Sequence, residues 1–495
     1  MTSKIFVPPP SPPAPTGILK VSGTNIVDKD GNPIILKGAG LGGHLNMENF
    51  ITGYPGHESG MRKAVKKVLG QASTEKYDFF FDKFLEYFFD EADAKFFASL
   101  GLNCIRVAFN YRHFEDDMNP EAPYNERGFL WLDRIINLCA AQGIYTILDL
   151  HAAPGGQNID WHADTGHHMA LFWEHKEFQD RAIRLWEALA ARYKGNTWVA
   201  GYNPLNEPTD EEHVRVIAWY ERAQKAIHAV DPDHILFWDG NTVRAADFSH
   251  FKDPLPNSAY SIHDYSNFGF PMGDRYKATT EQKARLKRAY ERKVEYHKKH
   301  GVPIWNGEFG PVYASPDDGP DWEEINTDRY QVLKDQLELY RTDKISWTIW
   351  LYKDIGFQGM VYAGEETAYR KLFREFHLKK KRLAADEWGA DPSTVADIFV
   401  PVEQWIMKEA PHFAERYPPM WTPTHFVGRM VRNILLSEEL YPEYAAHFEG
   451  LDYPELDALA ASFKLENCKQ RLGLNKVLQD DAANDVVPST KVQHK

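Results

Sequence analysis

Two glutamates in short polar motifs are the residues of this chain best suited to catalysis. Glu207 lies in an Asn-Glu-Pro tripeptide and Glu308 lies in Gly-Glu-Phe-Gly, and both motifs follow apolar runs. A pair of carboxyl groups can divide general acid, general base and nucleophilic roles when one is held protonated and the other ionised. Other polar or aromatic side chains occupy similar places in the sequence: Arg106, His151, Asn206, His263, Tyr265 and Trp350.

The elements that must position these residues are short strands. From residue 34 onward, runs rich in β-branched or aromatic residues alternate with longer segments of helical period, which is typical of repeated βα units. Eight strands with crossover connections favour an α/β fold, a (β/α)8 TIM barrel, although the periodicity also allows an open doubly wound sheet. The predicted strands are 34–38, 104–109, 145–150, 198–203, 235–238, 259–263, 303–306 and 346–350.

In a barrel of this kind, reacting groups project from the C-terminal ends of the strands. The two glutamates and the six further side chains lie in predicted strands or within four residues after them, so the fold would bring them to one face. Four residues of the predicted βα connections could shape substrate subsites, and a plain loop role is an equally good interpretation for them: Asn158, Trp161, Tyr313 and Asp354.

The chain outside the barrel divides into further segments. Six prolines among residues 7–15 predict a disordered leader over residues 1–16. Residues 18–36 contain turn chemistry between β-prone runs, which predicts an N-terminal β-hairpin that plugs the bottom of the barrel. We expect a catalytic barrel over 17–365, a C-terminal helical extension packed on it over 366–483, and a disordered tail over 484–495.

The composition disfavours several classes of protein. The 495 residues carry 57 Lys+Arg and 71 Asp+Glu, a formal charge of −14 that argues against broad electrostatic binding of nucleic acid. The three cysteines are too few and too scattered for a disulfide framework or a Cys-based zinc site. No signal-like or membrane-spanning apolar segment is found. We therefore predict a cytoplasmic protein without a membrane span or a nucleic-acid partner; its oligomeric state stays open.

The residues at the predicted strand ends make the sequence resemble the retaining β-glycosidases of glycoside hydrolase family 5. The resemblance covers roughly residues 17–365. The sequence is most similar to the fungal exo-β-1,3-glucanase and β-glucosidase branch, through LKGAGLGGHLNMENF (36–50), SLGLNCIRVAFNY (99–111) and ILDLHAAPGGQN (147–158). The resemblance implies Glu207 as acid/base and Glu308 as nucleophile. We expect no metal or other cofactor. The resemblance also implies supporting or substrate-binding roles for Arg106, His151, Asn206, His263, Tyr265 and Trp350.

The chemistry agrees with those roles. A retaining enzyme needs two carboxyl groups about 5 Å apart, one to attack the anomeric carbon and one to protonate the leaving oxygen. Arg106 and Tyr265 could donate hydrogen bonds to Glu308 and favour its charged form. Asn206 could hold the sugar 2-hydroxyl, and Trp350 could stack on the ring. We therefore predict a hydrolase that cleaves a β-glucosidic bond through a covalent glycosyl-enzyme intermediate, exo-acting on a small β-glucoside, diglycoside or oligoglucan.

Two other classes of function stay open. The protein could be a non-catalytic carbohydrate-binding or scaffold barrel with the helical extension as its working surface. It could also be a metal-dependent barrel hydrolase, because His162, Asp164, His167 and His168 cluster at a spacing that can ligate zinc or manganese. The strand ends supply Glu, Asn and Arg rather than converging His and Asp ligands, so the metal is the less favoured interpretation.

Overall fold

The computed structural model describes residues 4–70, 73–166, 168–242, 246–385, 390–415 and 423–484. Eight parallel strands pair in chain order and close into a barrel, with the last strand beside the first. The (β/α)8 barrel is confirmed, and each predicted run overlaps one of the observed strands. These are Lys37–Gly40, Cys104–Asn110, Tyr145–Ala152, Val199–Asn203, Ile235–Asp239, Ser258–His263, Ile304–Glu308 and Ser346–Ile349.

Helices surround the barrel and connect its strands. Several begin at polar caps; Asp90 and Thr279 each accept a hydrogen bond from a backbone amide of the first turn, which satisfies a donor that has no partner within the helix. Their apolar faces are buried against the strands, as in Glu126–Ala140. In chain order the connecting helices are Asn49–Thr52, Glu58–Leu69, Glu75–Phe88, Glu91–Ser99, Glu126–Ala140, Lys176–Tyr193, Arg215–Val230, Thr280–Lys293, Glu295–His300 and Trp322–Asp343.

The predicted N-terminal hairpin is present and closes one end of the barrel. Lys20–Ser22 pairs antiparallel with Asn25–Val27, which pairs in turn with Pro33–Ile34. Leu19 and Ile26 belong to the same buried cluster as several residues that begin barrel strands, among them Cys104, Tyr145 and Ile235. The hairpin therefore plugs the N-terminal end and leaves the C-terminal end of the strands for the site.

The leader differs from the prediction. Ile5 and Ala14 are buried. The carbonyls of Pro8 and Pro12 accept hydrogen bonds from Asn137 Nδ2 and Trp198 Nε1, at 2.8 and 2.7 Å. The prediction of a disordered segment is wrong for residues 4–16, because a proline-rich chain keeps free carbonyl acceptors and needs no ladder of its own to dock in extended form.

The region after residue 365 is helical and lies against the barrel helices. Phe463 packs on Phe84 and Phe88, with ring centroids 5.0 and 5.6 Å apart, and buried Asp481 binds Lys37 Nζ at 2.7 Å. A strand, Cys468–Gln470, pairs antiparallel with Val361–Ala363, which runs parallel to Lys353–Asp354. The α-helices here are Ala368–Leu372, Arg374–Arg382, Ala396–Glu409, Pro423–Arg429, Tyr441–Ala446, Tyr453–Ala461 and Leu472–Ala483, with a π-helix over Met430–Leu436.

Two remaining expectations concern the tail and the membrane. The predicted tail over 484–495 lies outside the described residues except for Asn484. Across the described parts of the chain, every helix is too short or too polar to cross a bilayer.

Candidate active site

Glu308 ends the seventh barrel strand with both carboxylate oxygens bound by donors. Arg106, on the second strand, donates from Nη1 to Oε1, and Tyr265, after the sixth strand, donates from Oη to Oε2 at 2.9 Å. The glutamate is only 5% exposed. Charge-assisted bonds of this kind stabilise an ionised carboxylate and fix its orientation. The orientation of the Glu308 carboxyl group is therefore set by one donor on the second strand and one donor that follows the sixth strand.

Arg106 is the centre of the polar network beneath the two glutamates. Its Nη2 donates to Asn206 Oδ1 at 2.6 Å and to Asn203 Oδ1 at 3.0 Å, and the same nitrogen lies 3.2 Å from Asp149 Oδ2. Burial lowers the pKa of this fully buried guanidinium, but the carboxylates of Asp149 and Glu308 outweigh burial and raise the pKa above its usual range. A permanent positive charge on the second strand thus contacts side chains of the third, fourth and seventh strands.

Glu207 follows the fourth strand and is fixed at three points. Its Oε1 lies 2.6 Å from His263 Nδ1, its amide donates to Asp239 Oδ2 at 2.9 Å, and its carbonyl accepts from Asn158 Nδ2 at 2.8 Å. Its φ of 41° lies in the left-handed region. A non-glycine residue there costs on the order of 1–3 kcal/mol, so the surrounding hydrogen bonds must hold it in place.

The surroundings of Glu207 favour its protonated form. Burial raises the pKa of Glu207 well above its usual range, and the negative charges of Glu308 and Asp239 add to that effect. Burial together with Arg106 lowers the pKa of His263 well below its usual range. Both shifts favour the neutral forms, so the short contact between Glu207 and His263 fits a hydrogen bond and not an ion pair.

The two glutamates lie close to each other. One oxygen of Glu207, one oxygen of Glu308 and a ring nitrogen of His263 all lie within 4.8 Å of one another. A protonated carboxyl group facing an ionised one at this distance can supply an acid and a nucleophile to one bond. The same three groups could ligate a cation, but the guanidinium of Arg106 already binds Glu308 and its charge would repel a metal ion.

His151 and Trp350 line the side of the site beyond Arg106. His151 Nδ1 lies 2.7 Å from Asp149 Oδ2, and its ring stacks on Trp350 at 5.1 Å with an interplanar angle of 2°. Burial lowers the pKa of His151, but the Asp149 and Glu48 carboxylates outweigh it and raise the pKa to about 9. Trp350 is only 2% exposed, and the His151 imidazole covers one face of the ring that we expected to stack on a sugar.

Glu48 lies beside His151 and was not among the residues predicted from the sequence. Its Oε1 lies 3.6 Å from His151 Nε2, and burial raises its pKa to about 7. The residue falls inside the 36–50 segment that carried the family resemblance, after the first barrel strand. Its place in that segment is the sequence signal that could have identified Glu48 as a candidate. Asp239, which accepts the Glu207 amide, was also not singled out, although it directly follows the predicted strand 235–238.

Of the four weaker candidates, Asn158 contacts Glu207, Trp161 contacts Arg429 of the C-terminal extension, and two serve loops elsewhere. Asn158 binds the Glu207 carbonyl, and Trp161 begins a 3-10 turn that follows it. Asp354 is fully buried and accepts hydrogen bonds from backbone amides of residues 356–359, so its position supports a loop-stabilising role instead of substrate contact. Tyr313 packs under the Arg471 guanidinium, 4.2 Å from its ring centroid, and so contacts the C-terminal extension.

The loop histidines considered as metal ligands have different partners. His162 Nε2 lies 3.5 Å from Glu207 Oε2, whereas His168 Nε2 lies 2.8 Å from Glu438. The carboxylate of Asp164 is occupied by Asn110 Nδ2 and by other donors. His167 lies outside the described residues. The described members of this cluster therefore do not converge on one point.

Comparison with known proteins gives consistent matches. Residues 71–356 match the family profile "Cellulase (glycosyl hydrolase family 5)". A β-xylosidase from Phanerodontia chrysosporium is 60% identical over 472 residues, covering 94% of this chain and 98% of that protein. A probable glucan 1,3-β-glucosidase A from Neosartorya fischeri is 23% identical, covering 66% and 84%. The crystal structure of an endogalactoceramidase aligns with a TM-score of 0.50 and 17% identity over 73% of this chain and 77% of that one, a likeness of fold alone.

Proposed function

This chain belongs to glycosyl hydrolase family 5 and is an O-glycosyl hydrolase, and from that premise we propose that it cleaves β-glycosidic bonds with retention of configuration. The spacing of its two glutamates carries the proposal. Retaining enzymes hold their carboxyl groups about 5–5.5 Å apart, and inverting enzymes hold them about 6.5–9.5 Å apart to admit a water. Oxygens of Glu207 and Glu308 lie within 4.8 Å of each other, which fits the first class.

In the proposed reaction, Glu308 attacks the anomeric carbon while Glu207 gives its proton to the leaving oxygen. The covalent intermediate is an ester of Glu308, so the negative charge that helps to raise the pKa of Glu207 disappears at this step. Glu207 is then a carboxylate with a lower pKa, suited to take a proton from the water that hydrolyses the ester. Glu308 thus favours the protonated form of Glu207 before the attack and the ionised form after it.

The geometry also supports exo action on a terminal sugar. Asn206 is held by Arg106 beside Glu207, where its amide could bind the 2-hydroxyl. Glu48 and His151 are buried polar neighbours that could accept and donate hydrogen bonds to hydroxyls of a terminal ring. Both catalytic candidates are themselves almost fully buried, as expected where one sugar is enclosed.

Two sugars fit this proposal. The relative named a β-xylosidase matches nearly the whole chain at 60% identity, which favours a terminal β-xylosyl residue. The resemblance to fungal β-glucosidases favours a β-glucosyl residue, which differs by the C6 hydroxymethyl group. We expect aryl β-xylosides to be hydrolysed with the higher kcat/KM, and a higher value on aryl β-glucosides would select the second sugar.

Proton NMR of a fresh reaction tests the mechanism. We expect the β-anomer of the released sugar to appear first and the α-anomer to follow only by mutarotation. The α-anomer appearing first would contradict retention, and wild-type protein that binds glycans without turnover would favour the non-catalytic barrel. Activity should survive exhaustive chelation; its loss and recovery with added zinc or manganese would favour the metal hydrolase.

A further inference from the structure

Arg429 of the C-terminal extension reaches the loop beside Glu207. It ends the helix Pro423–Arg429, directly before the π-helix Met430–Leu436, and is only 1% exposed. Its Nη1 lies 2.5 Å from Asp160 Oδ1, and its Nη2 donates to the carbonyl of Ile159 at 2.7 Å. Burying a guanidinium is costly unless charge and hydrogen bonds compensate for it, and this loop supplies both.

The loop that Arg429 contacts carries direct neighbours of Glu207. The Asp160 amide donates to Asn158 Oδ1 at 3.0 Å, and Asn158 Nδ2 donates to the Glu207 carbonyl at 2.8 Å. On the other side, Asp160 Oδ1 accepts from the amide of Trp161 at 3.2 Å and so begins the turn that carries His162. A continuous set of hydrogen bonds therefore connects Arg429 to the backbone of Glu207.

The same segment contacts a second loop of the site. Ser437 Oγ accepts from the Gly56 amide at 2.8 Å, and Tyr441 Oη accepts from the His57 amide at 2.9 Å. This loop follows Glu48, whose carboxylate faces His151. Residues 423–444 therefore contact the chain on both sides of the site, which would be unusual for an appendage that merely covers barrel helices.

We propose that Arg429 is a positioning residue that holds the 158–162 loop, and through it Glu207, in the geometry needed to protonate the leaving group. The inference rests on the proposed role of Glu207 as acid/base. In this arrangement the extension forms the leaving-group side of the active site, so the barrel alone would contain the two glutamates but would position its acid poorly.

Leaving groups of different acidity test this role. In Arg429→Met and in Asp160→Asn, we expect kcat/KM for phenyl β-glycosides to fall roughly 10²-fold, the loss that a small misplacement of a catalytic group can cause. The loss should be much smaller for 2,4-dinitrophenyl β-glycosides, which depart without proton donation. The control is Lys379→Ala, which removes an ion pair with Glu443 inside the extension and should leave both activities unchanged.

Three results would overturn the proposal: equal losses for both leaving groups, no loss in either single variant, or additive losses in the double variant. A shared role predicts that the double variant loses no more than the worse single variant. If Arg429→Met fails to fold by circular dichroism, Asp160→Asn, which lies on the barrel loop, decides the outcome alone. Glu207→Gln is measured in parallel, because failure of that variant to discriminate between leaving groups would refute the role of Glu207 and not the inference about Arg429.

Discussion

His263 Nδ1 lies 2.6 Å from Oε1 of Glu207, and the pKa values of these two buried groups are shifted in opposite directions. Burial and Arg106 lower the pKa of the imidazole, while burial and Glu308 raise the pKa of the carboxyl group. In water, an acidic carboxyl group and a histidine this close would form an ion pair near pH 5. The opposite shifts disfavour that ion pair in the buried site and favour neutral forms, in which the carboxyl proton would be available to a leaving group.

Replacing His263 by phenylalanine should therefore impair the acid without removing it. We expect kcat/KM for phenyl glycosides to fall about 10- to 100-fold, since an unpaired buried polar group costs roughly 1–3 kcal/mol. Steady-state kinetics measure the loss. Unchanged kinetics would show that the contact with Glu207 contributes nothing to turnover.

Removing the negative charge of Glu308 should lower the pKa of Glu207. Because the Glu308 carboxylate is one of the causes that raise the pKa of Glu207, Glu308→Gln should lower that pKa even though burial persists. Carbon NMR titration of side-chain-labelled glutamate, assigned with a Glu207→Gln control, measures the shift. A pKa of Glu207 that stays the same or rises would contradict the coupling.

The hydrogen bond from Tyr265 should matter for the nucleophile. Tyr265→Phe removes the donor to Glu308 Oε2, and hydrogen bonds to charged groups contribute about 1.5–3 kcal/mol, so we expect kcat/KM to fall about 10- to 150-fold. Burial and both glutamates raise the pKa of Tyr265 well above its usual range, so the phenol stays a donor through alkaline pH. An alkaline loss of activity that disappears in Tyr265→Phe would contradict this assignment.

The attachment of the extension should depend on pH. Burial raises the pKa of Glu438, but hydrogen bonds from His168 and His57 outweigh it and lower the pKa to about 2. A depressed pKa stabilises the folded state above the unfolded value near 4.5 and loses that stabilisation as pH falls toward 2. Glu438→Gln should therefore unfold at lower urea concentration than wild type at pH 7, with the difference shrinking below pH 4. A difference that is constant across this range would contradict the role of the charge.

Much of the fold and the two central residues follow from the sequence for a physical reason. Strand runs and helical periods are local patterns, and a barrel places strand ends on one face, so Glu207 and Glu308 could be expected to meet. Trp350 was predicted to stack on a sugar, but its packing against His151 depends on ring orientation, which no local pattern records.

Contacts between distant segments were not predictable in this way. Arg429 reaches Asp160 across 269 positions of sequence, and no periodicity links a helix of the extension to a loop of the barrel. Asp354 had the right type and place for a substrate contact, yet its carboxylate is used by the amides of its own loop. The prediction for the leader was wrong because composition alone suggested disorder. Its carbonyls accept hydrogen bonds from side chains of the barrel, which composition does not record.

Trapping of the covalent intermediate tests the central claim most directly. The protein is incubated with a 2,4-dinitrophenyl 2-deoxy-2-fluoro-β-glycoside of the preferred sugar. The fluorine slows both formation and hydrolysis of the glycosyl-enzyme, while the good leaving group lets the intermediate accumulate. Peptide mass spectrometry then locates the label. We predict one sugar per chain, attached to Glu308, with no label in Glu308→Ala. A label on another residue, or no label from a substrate analogue that inactivates the enzyme, would contradict the assignment of Glu308 as the nucleophile of a retaining hydrolase.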